Sequence, residues 1–280
     1  MKTRCGAHVS VSKGLVRALE KASEMGASCI QIFSSPPQSF IPPKFTDSEC
    51  SEFKTQARKL DIQPVFIHAK YLINLASEKE SLRTLSIKSL IADLTFAEKI
   101  GAQGVIVHTG SHKGKGFNEV LPVVVESIKQ ILEKTPASTT LYLEVASGGK
   151  GKIGSTFEEL HAMLDGVGNS RVGVCLDTAH LFAAGYAFDT LEKVVELAKQ
   201  IEKTIGWATI ECMHANDSKV EFKSGKDRHE NIGQGFIGKD PFRLLLQHSK
   251  FNNLPFILET PGFDDKGPDK KNLDILKSLI

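Results

Sequence analysis

The chain of 280 residues sets 35 Lys and Arg against 33 Asp and Glu, a net charge of +2, and 41% of it is hydrophobic. This excludes a disordered or fibrous chain, and so even a charge balance points to no nucleic-acid partner unless a basic surface forms locally. No run of about 18 apolar residues appears, and the opening Met1-Lys2-Thr3-Arg4-Cys5-Gly6 lacks the apolar stretch of a secretion signal. A cytoplasmic or nuclear protein with no membrane partner is expected.

Short β-branched apolar runs alternate with amphipathic segments from end to end. A strand over Cys5–Val9 leads into a helix over Gly14–Met25, and a strand over Ser28–Phe33 into a helix over Thr46–Leu60. The pattern repeats with strand Gln63–His68 and helix Leu82–Ile100, then strand Gly104–His108 and helix Phe117–Leu132. Strands over Leu141–Val145 and Val172–Asp177 follow, then helix Thr190–Ile205, strand Ala208–His214, helix Lys239–Gln247 and strand Pro255–Thr260. The strand candidates are continuously apolar, as strands covered on both faces must be. Thr46-Asp47-Ser48-Glu49 and Ser155-Thr156-Phe157-Glu158 read as capping boxes that open helices. Eight such units, without a linker or a break in composition, predict one (β/α)₈ TIM barrel over residues 1–280 rather than an open doubly wound sheet. The five cysteines are odd in number, widely spaced and form no CxxC pair, so reduced core residues are expected.

Gly and Pro gather after the strands, in Ser34–Pro43, Thr109–Gly116 and Ala146–Gly154. In a barrel these loops build the C-terminal face, where active sites lie. The third to eighth strands end on His68, His108, Glu144, Asp177, His214 and Glu259. Converging on one mouth, six such groups would repel one another and be poorly solvated unless cations sat among them. With no cysteine in the set, nitrogen and oxygen ligands suit zinc, manganese or iron. Asp177-Thr178-Ala179-His180 and Asp227-Arg228-His229 add His180, Asp227 and His229 as a further three-ligand site. His8 is read as lining the pocket without ligating, and His112 as a phosphate contact or a solvated loop residue. The segments His112–Gly116 and Gly149–Lys152 bring Lys113, Lys115, Lys150 and Lys152 to the same rim with no acid between them, a composition suited to phosphate.

His68-Ala69-Lys70-Tyr71-Leu72-Ile73-Asn74-Leu75, the run DTAHLFAAGY from Asp177 to Tyr186, and His214-Ala215-Asn216-Asp217-Ser218-Lys219 together resemble the endonuclease IV family. So does Asp227-Arg228-His229 followed by Ile232-Gly233-Gln234-Gly235-Phe236-Ile237-Gly238, and the resemblance runs essentially end to end. It implies a TIM-barrel, zinc-dependent apurinic/apyrimidinic (AP) endonuclease of base-excision repair with three zinc ions. One would be held by His68, His108 and Glu144. Glu144 would bridge to a second, bound also by Asp177, His214 and Glu259, and the third would be held by His180, Asp227 and His229. Tyr71 and Leu72 match the pair that in this family enters DNA at the lesion. The resemblance further implies catalytic roles for Glu144 and Glu259, the latter orienting the water. Cleavage would fall 5′ to an abasic site in duplex DNA, leaving 3′-hydroxyl and 5′-deoxyribose-phosphate ends, with trimming of blocked 3′ ends. The four carboxylates of the set against three Zn²⁺ leave a cationic site, suited to a phosphate whose charge grows in the transition state.

Two departures from the family pattern stand out. Val145-Ala146-Ser147-Gly148 follows Glu144 where the family has Asn-Thr-Ala-Gly, removing an amide that could support a ligand. Ser34–Phe40 lacks the basic residues that the family carries after its second strand. The competing readings are a sugar isomerase or epimerase of the xylose-isomerase type, needing two metals and no lysine-rich rim, and a damaged-DNA binding protein without turnover.

Overall fold

The computed structural model describes residues 3–280. Eight parallel strands close into a barrel: β1 (Cys5–His8), β2 (Cys29–Phe33), β3 (Val65–His68), β4 (Gly104–Val107), β5 (Thr140–Glu144), β6 (Val172–Asp177), β7 (Ile210–His214) and β10 (Phe256–Leu258). Closure is made by β1 pairing with β10, Gly6 opposite Ile257. The major helices pack outside: α1 (Leu15–Met25), α2 (Asp47–Lys59), α3 (Glu80–Ile100), α4 (Phe117–Glu133), α5 (Phe157–Val167), α7 (Leu191–Thr204), α8 (Lys239–Gln247) and α9 (Lys270–Lys277). No helix among the described residues is long and apolar enough to cross a membrane. All five cysteines are buried and none is in a disulfide, as expected.

Two cores form. The larger lies between strands and helices; a smaller one, Cys29, Phe66, Ile106, Tyr142, Cys175, Cys212 and Ile257, packs as a separate cluster contributed entirely by barrel strands. Glycine at 104 and 173 leaves room for Tyr142: a Cβ on Gly104 would lie 2.0 Å from Thr140 O and 2.8 Å from the Tyr142 ring, and one on Gly173 2.8 Å from both Thr209 O and that ring. That plug fills the barrel beneath the mouth, and burial pushes the Tyr142 hydroxyl pKa up.

The expected strands are all present: β6 matches its expected bounds, β5 is shifted one residue towards the N-terminus, and the others are trimmed by one or two residues at an end. Thr46 caps α2 in a true capping box with Glu49. The second box is displaced by one residue: Thr156, not Ser155, caps α5 and accepts from the Glu159 N–H. Ser155 is committed outside the helix, where its N–H and that of Gly154 donate to the Glu159 carboxylate. Sequence periodicity also missed three short features near the mouth. They are α6 (Thr178–Ala184), β8 (Asp217–Ser218) and β9 (His229–Glu230), the last two forming an antiparallel pair that brings Ser218 opposite His229.

Candidate metal centre at the barrel mouth

Each ligand candidate stands at the end of its strand or one residue beyond: His68, Glu144, Asp177 and His214 close β3, β5, β6 and β7, while His108 and Glu259 follow β4 and β10. His180 lies in the first turn of α6, because the Asp177 side chain caps that helix by accepting from the His180 N–H. Asp227 lies on the β8–β9 loop and His229 opens β9. The structure thus brings all nine to one place, around a cleft of about 580 Å³ that also has His8, Phe33 and Tyr71 on its walls. His8 lies outside the ligand groups, on the cleft wall.

Glu144 is the hub. Its Oε2 lies 3.1 Å from His68 Nε2 and 3.3 Å from His108 Nε2, and its Oε1 lies 3.0 Å from His214 Nδ1 and 3.2 Å from His180 Nδ1. Ligand atoms within 4.8 Å of one another form four groups: His68, His108 and Glu144; Glu144, Asp177, His214 and Glu259; His108, His180 and Asp227; and Asp177, His180 and His229. The first two are the sets expected from sequence. The expected third set of His180, Asp227 and His229 does not form a group of its own: His180 and Asp227 group with His108, and His180 and His229 with Asp177.

The donor set fits metal ions better than it fits a hydrogen-bonded polar cluster. Nε2 of His180 and of His229 are buried without a hydrogen-bond partner, although both stand near Asp227 Oδ1, at 3.2 and 3.4 Å. Buried polar nitrogens left unpaired are costly, and atoms this close yet misaligned for each other converge on a shared point. On the far side the rings are fixed: His68 Nδ1 donates to Ala69 O at 2.7 Å, His180 Nδ1 to Val145 O at 3.0 Å, and His229 Nδ1 to Glu259 O at 3.4 Å. Val145 therefore supports the cluster through its carbonyl, which no side-chain comparison at that position would reveal.

The charges interlock. Burial alone would raise the Glu144 pKa, but His108, His214 and His180 hold it well below the usual carboxylate range. Burial pulls His108 down to about 4. Burial acts the same way on His214, yet Glu259 and Glu144 outweigh it and raise the pKa to about 10; Asp177 and Asp227 likewise raise His180. In the metal-free chain His214 and His180 therefore carry protons at pH 7, and both must be lost for the rings to ligate. Metal loading is expected to release protons at pH 7, so that apparent affinity rises with pH. Calorimetry in buffers of different ionisation enthalpy measures this; binding heats that do not depend on the buffer would contradict it.

The rim lysines do not behave alike. Lys115 is tied to Glu78 and, at 3.0 Å, to Glu119, so acids from outside the segment cancel a charge that the sequence seemed to leave free. Lys152 lies 3.4 Å from Asp227 Oδ2 and 2.9 Å from Ser147 Oγ, inside the cluster's edge. Lys113 and Lys150 are exposed. His112 Nδ1 accepts from the N–H groups of Gly114 and Gly116 and shapes the loop. Sequence reasoning also missed a buried pair behind the mouth, Lys70 to Asp93 at 2.9 Å with Ser34 on the same carboxylate at 2.6 Å. It missed Gln31 as well, which stands fully buried between His8, His214 and Glu259.

A closed parallel barrel with histidines and carboxylates gathered at its C-terminal mouth defines a TIM-barrel protein with a candidate metal centre. Residues 19–279 match the family model for a xylose isomerase-like TIM barrel. Within that fold the chain belongs to the endonuclease IV family. It is 38% identical to the probable endonuclease 4 of a Sulfurihydrogenibium species over 98% of each chain. It superposes on the crystal structure of endonuclease IV from Thermus thermophilus with a TM-score of 0.87 at 32% identity, covering 99% of this chain and 98% of that one. A D-tagatose 3-epimerase-like protein, at TM-score 0.73 and 21% identity over 99% and 96% of the two chains, shares the fold alone.

Proposed function

We propose that this chain is a zinc-dependent AP endonuclease that hydrolyses the phosphodiester 5′ to an abasic site in duplex DNA, leaving 3′-hydroxyl and 5′-deoxyribose-phosphate ends, and that it also trims blocked 3′ ends. The observation that carries the reading is the nine-residue cluster, five of its members buried and four half-buried, at the mouth of a barrel whose sequence belongs to the endonuclease IV family. His68, His108 and Glu144 would hold one zinc, Glu144, Asp177, His214 and Glu259 a second, and His180, Asp227 and His229 a third. Zinc there would supply Lewis acidity to a phosphoryl group and lower the pKa of a water. The chain's own contribution is to hold nine ligands in register, with Glu259, the less buried of the two catalytic carboxylates, facing the cleft to orient the attacking water. An abasic nucleotide lacks the stacking of a base, so presenting it to the cleft costs less than flipping a paired one. The sugar-epimerase reading draws on the shared fold and has no use for His180, Asp227 and His229 together.

Incision of a duplex with one abasic site, assayed beside metal analysis of the freshly purified protein, tests the proposal. About three zincs per chain with cleavage on the 5′ side is expected. Two magnesium or manganese ions with no cleavage would favour the epimerase, and tight abasic-DNA binding without turnover would favour the binding protein.

The lysine geometry sharpens the expectation for DNA affinity. Lys113→Ala and Lys150→Ala should each lower the log–log salt slope of binding by about 0.9, whereas Lys115→Ala should leave it almost unchanged, since Glu78 and Glu119 already neutralise that ammonium. Lys152→Ala should lower the slope less, with part of its charge committed to Asp227. An unchanged slope for Lys113→Ala with Lys150→Ala would remove the rim from the DNA interface.

A further inference from the structure

Three imidazoles of the cluster are oriented from behind by main-chain carbonyls. His214 has a side chain in that role. Its Nε2 lies 2.8 Å from Gln31 Oε1, while its Nδ1 faces Glu144, Glu259 and Asp177 at 3.0, 3.3 and 3.7 Å. Gln31 reaches it from β2, three strands round the barrel from β7, and is fully buried. A lone amide inside an otherwise apolar strand, Cys29-Ile30-Gln31-Ile32-Phe33, must find all its partners within the barrel.

Glu259 decides which way the amide points. Gln31 Nε2 lies 2.5 Å from Glu259 Oε1, and an ionised carboxylate only accepts, so the NH₂ end must be there. Oε1 therefore faces His214, whose Nε2 must carry its hydrogen, leaving Nδ1 as the atom turned to the three carboxylates. The other amide hydrogen runs to His8 Nδ1 at 2.9 Å. His8 Nδ1 must then accept, and the His8 hydrogen sits on Nε2, a buried atom with no other partner. Both amide hydrogens and the amide oxygen are used, and each use restricts a different neighbour.

We propose that Gln31 is a positioning residue of the metal centre: it fixes which nitrogen of His214 is presented to the metal shared with Glu144, Asp177 and Glu259, holds Glu259 in place, and sets the tautomer of His8. The role rests on the reading that this cluster holds metal ions. Backbone carbonyls do the same for His68, His180 and His229, but a carbonyl cannot be deleted by substitution, so Gln31 is the point where the support can be tested. Gln31→Met keeps the length and bulk of the side chain and loses every hydrogen bond. Loss of such an outer partner typically weakens a metal site about 10–100-fold.

The test is a Co²⁺ titration of wild type and Gln31→Met, followed by visible absorption and by competition with a chelator. One equivalent should bind about 10–100-fold more weakly in the variant with an altered spectrum, while the others keep wild-type affinity. Full-affinity binding of every equivalent with an unchanged spectrum would overturn the proposal and reduce Gln31 to packing. Failure of the wild-type chain to take up Co²⁺ would instead fail the metal reading. A measurement on wild type needs no variant to fold: ¹H–¹⁵N correlation through the histidine rings should show His8 as the Nε2–H tautomer, and an Nδ1–H signal would overturn the assignment of Gln31.

Discussion

Glu144→Gln should nearly abolish incision while leaving the barrel folded. Glu144 is buried and places four histidine nitrogens within 3.3 Å of its two oxygens. An amide keeps the shape but turns one acceptor into a donor, so an N–H now faces two imidazoles whose lone pairs belong to the metals. It also removes one negative charge from a site that must hold several cations close together. Removing one partner from a buried charged set costs about 3–5 kcal/mol, or a loss of about 10²–10⁴-fold where it falls on metal affinity. Purified Glu144→Gln should accordingly bind fewer metal ions, show a circular dichroism spectrum like wild type, and lose turnover by at least that factor. Unaltered incision would sink the bridging role.

The candidate ligands were legible in the sequence for a simple reason. A strand buried on both faces is an unbroken apolar run, and Phe66-Ile67-His68 or Leu143-Glu144 marks the point where it meets the mouth. What was not legible required knowledge of neighbours distant in sequence. The neutralisation of Lys115 comes partly from Glu78, on the loop before α3, and the support of His180 comes from the carbonyl of Val145, which any residue type would provide. The four overlapping ligand groups follow from how α6 lies across the mouth, and a seven-residue helix inside a motif gives no periodicity to detect. Gln31 could have been found: a single amide in an apolar strand signals a polar partner inside the barrel. Asp217 was visible only as part of a motif. Its carboxylate accepts from the backbone N–H groups of Gly233, Gly235, Ile237 and Gly238, which explains why that loop is rich in glycine. A Cβ on Gly235 would lie 2.5 Å from Asp217 Oδ1.

Tyr71→Ala combined with Leu72→Ala should depress incision of abasic duplex strongly and leave hydrolysis of a small phosphodiester nearly unchanged. The loop begins at His68 and divides sharply: Ile73 and Leu75 go into the core, whereas Tyr71 stays 64% exposed and Leu72 39% exposed. Two apolar side chains left outside while their neighbours are buried are available to another molecule, not packed back onto α3. Their base is rigid, with the Tyr71 N–H donating to Pro37 O at 3.1 Å, the Tyr71 ring meeting Phe33 edge-on at 5.3 Å, and Lys70 locked beneath by Asp93. Such a platform suits a wedge inserted into the base stack, filling the space beside a missing base, where contacts with bent DNA offset an unstacking cost of a few kcal/mol. Ser34–Phe40 brings no basic residue to the same side of the mouth, which leaves more of the distortion to this pair. Losing the wedge should lower kcat/KM on abasic duplex by about 10²-fold, the equivalent of those few kcal/mol. The ligand cluster keeps its own supports, so a small phosphodiester that needs no DNA bending should be turned over at close to the wild-type rate. Equal losses on both substrates would show that Tyr71 and Leu72 brace the site itself, and would remove the wedge.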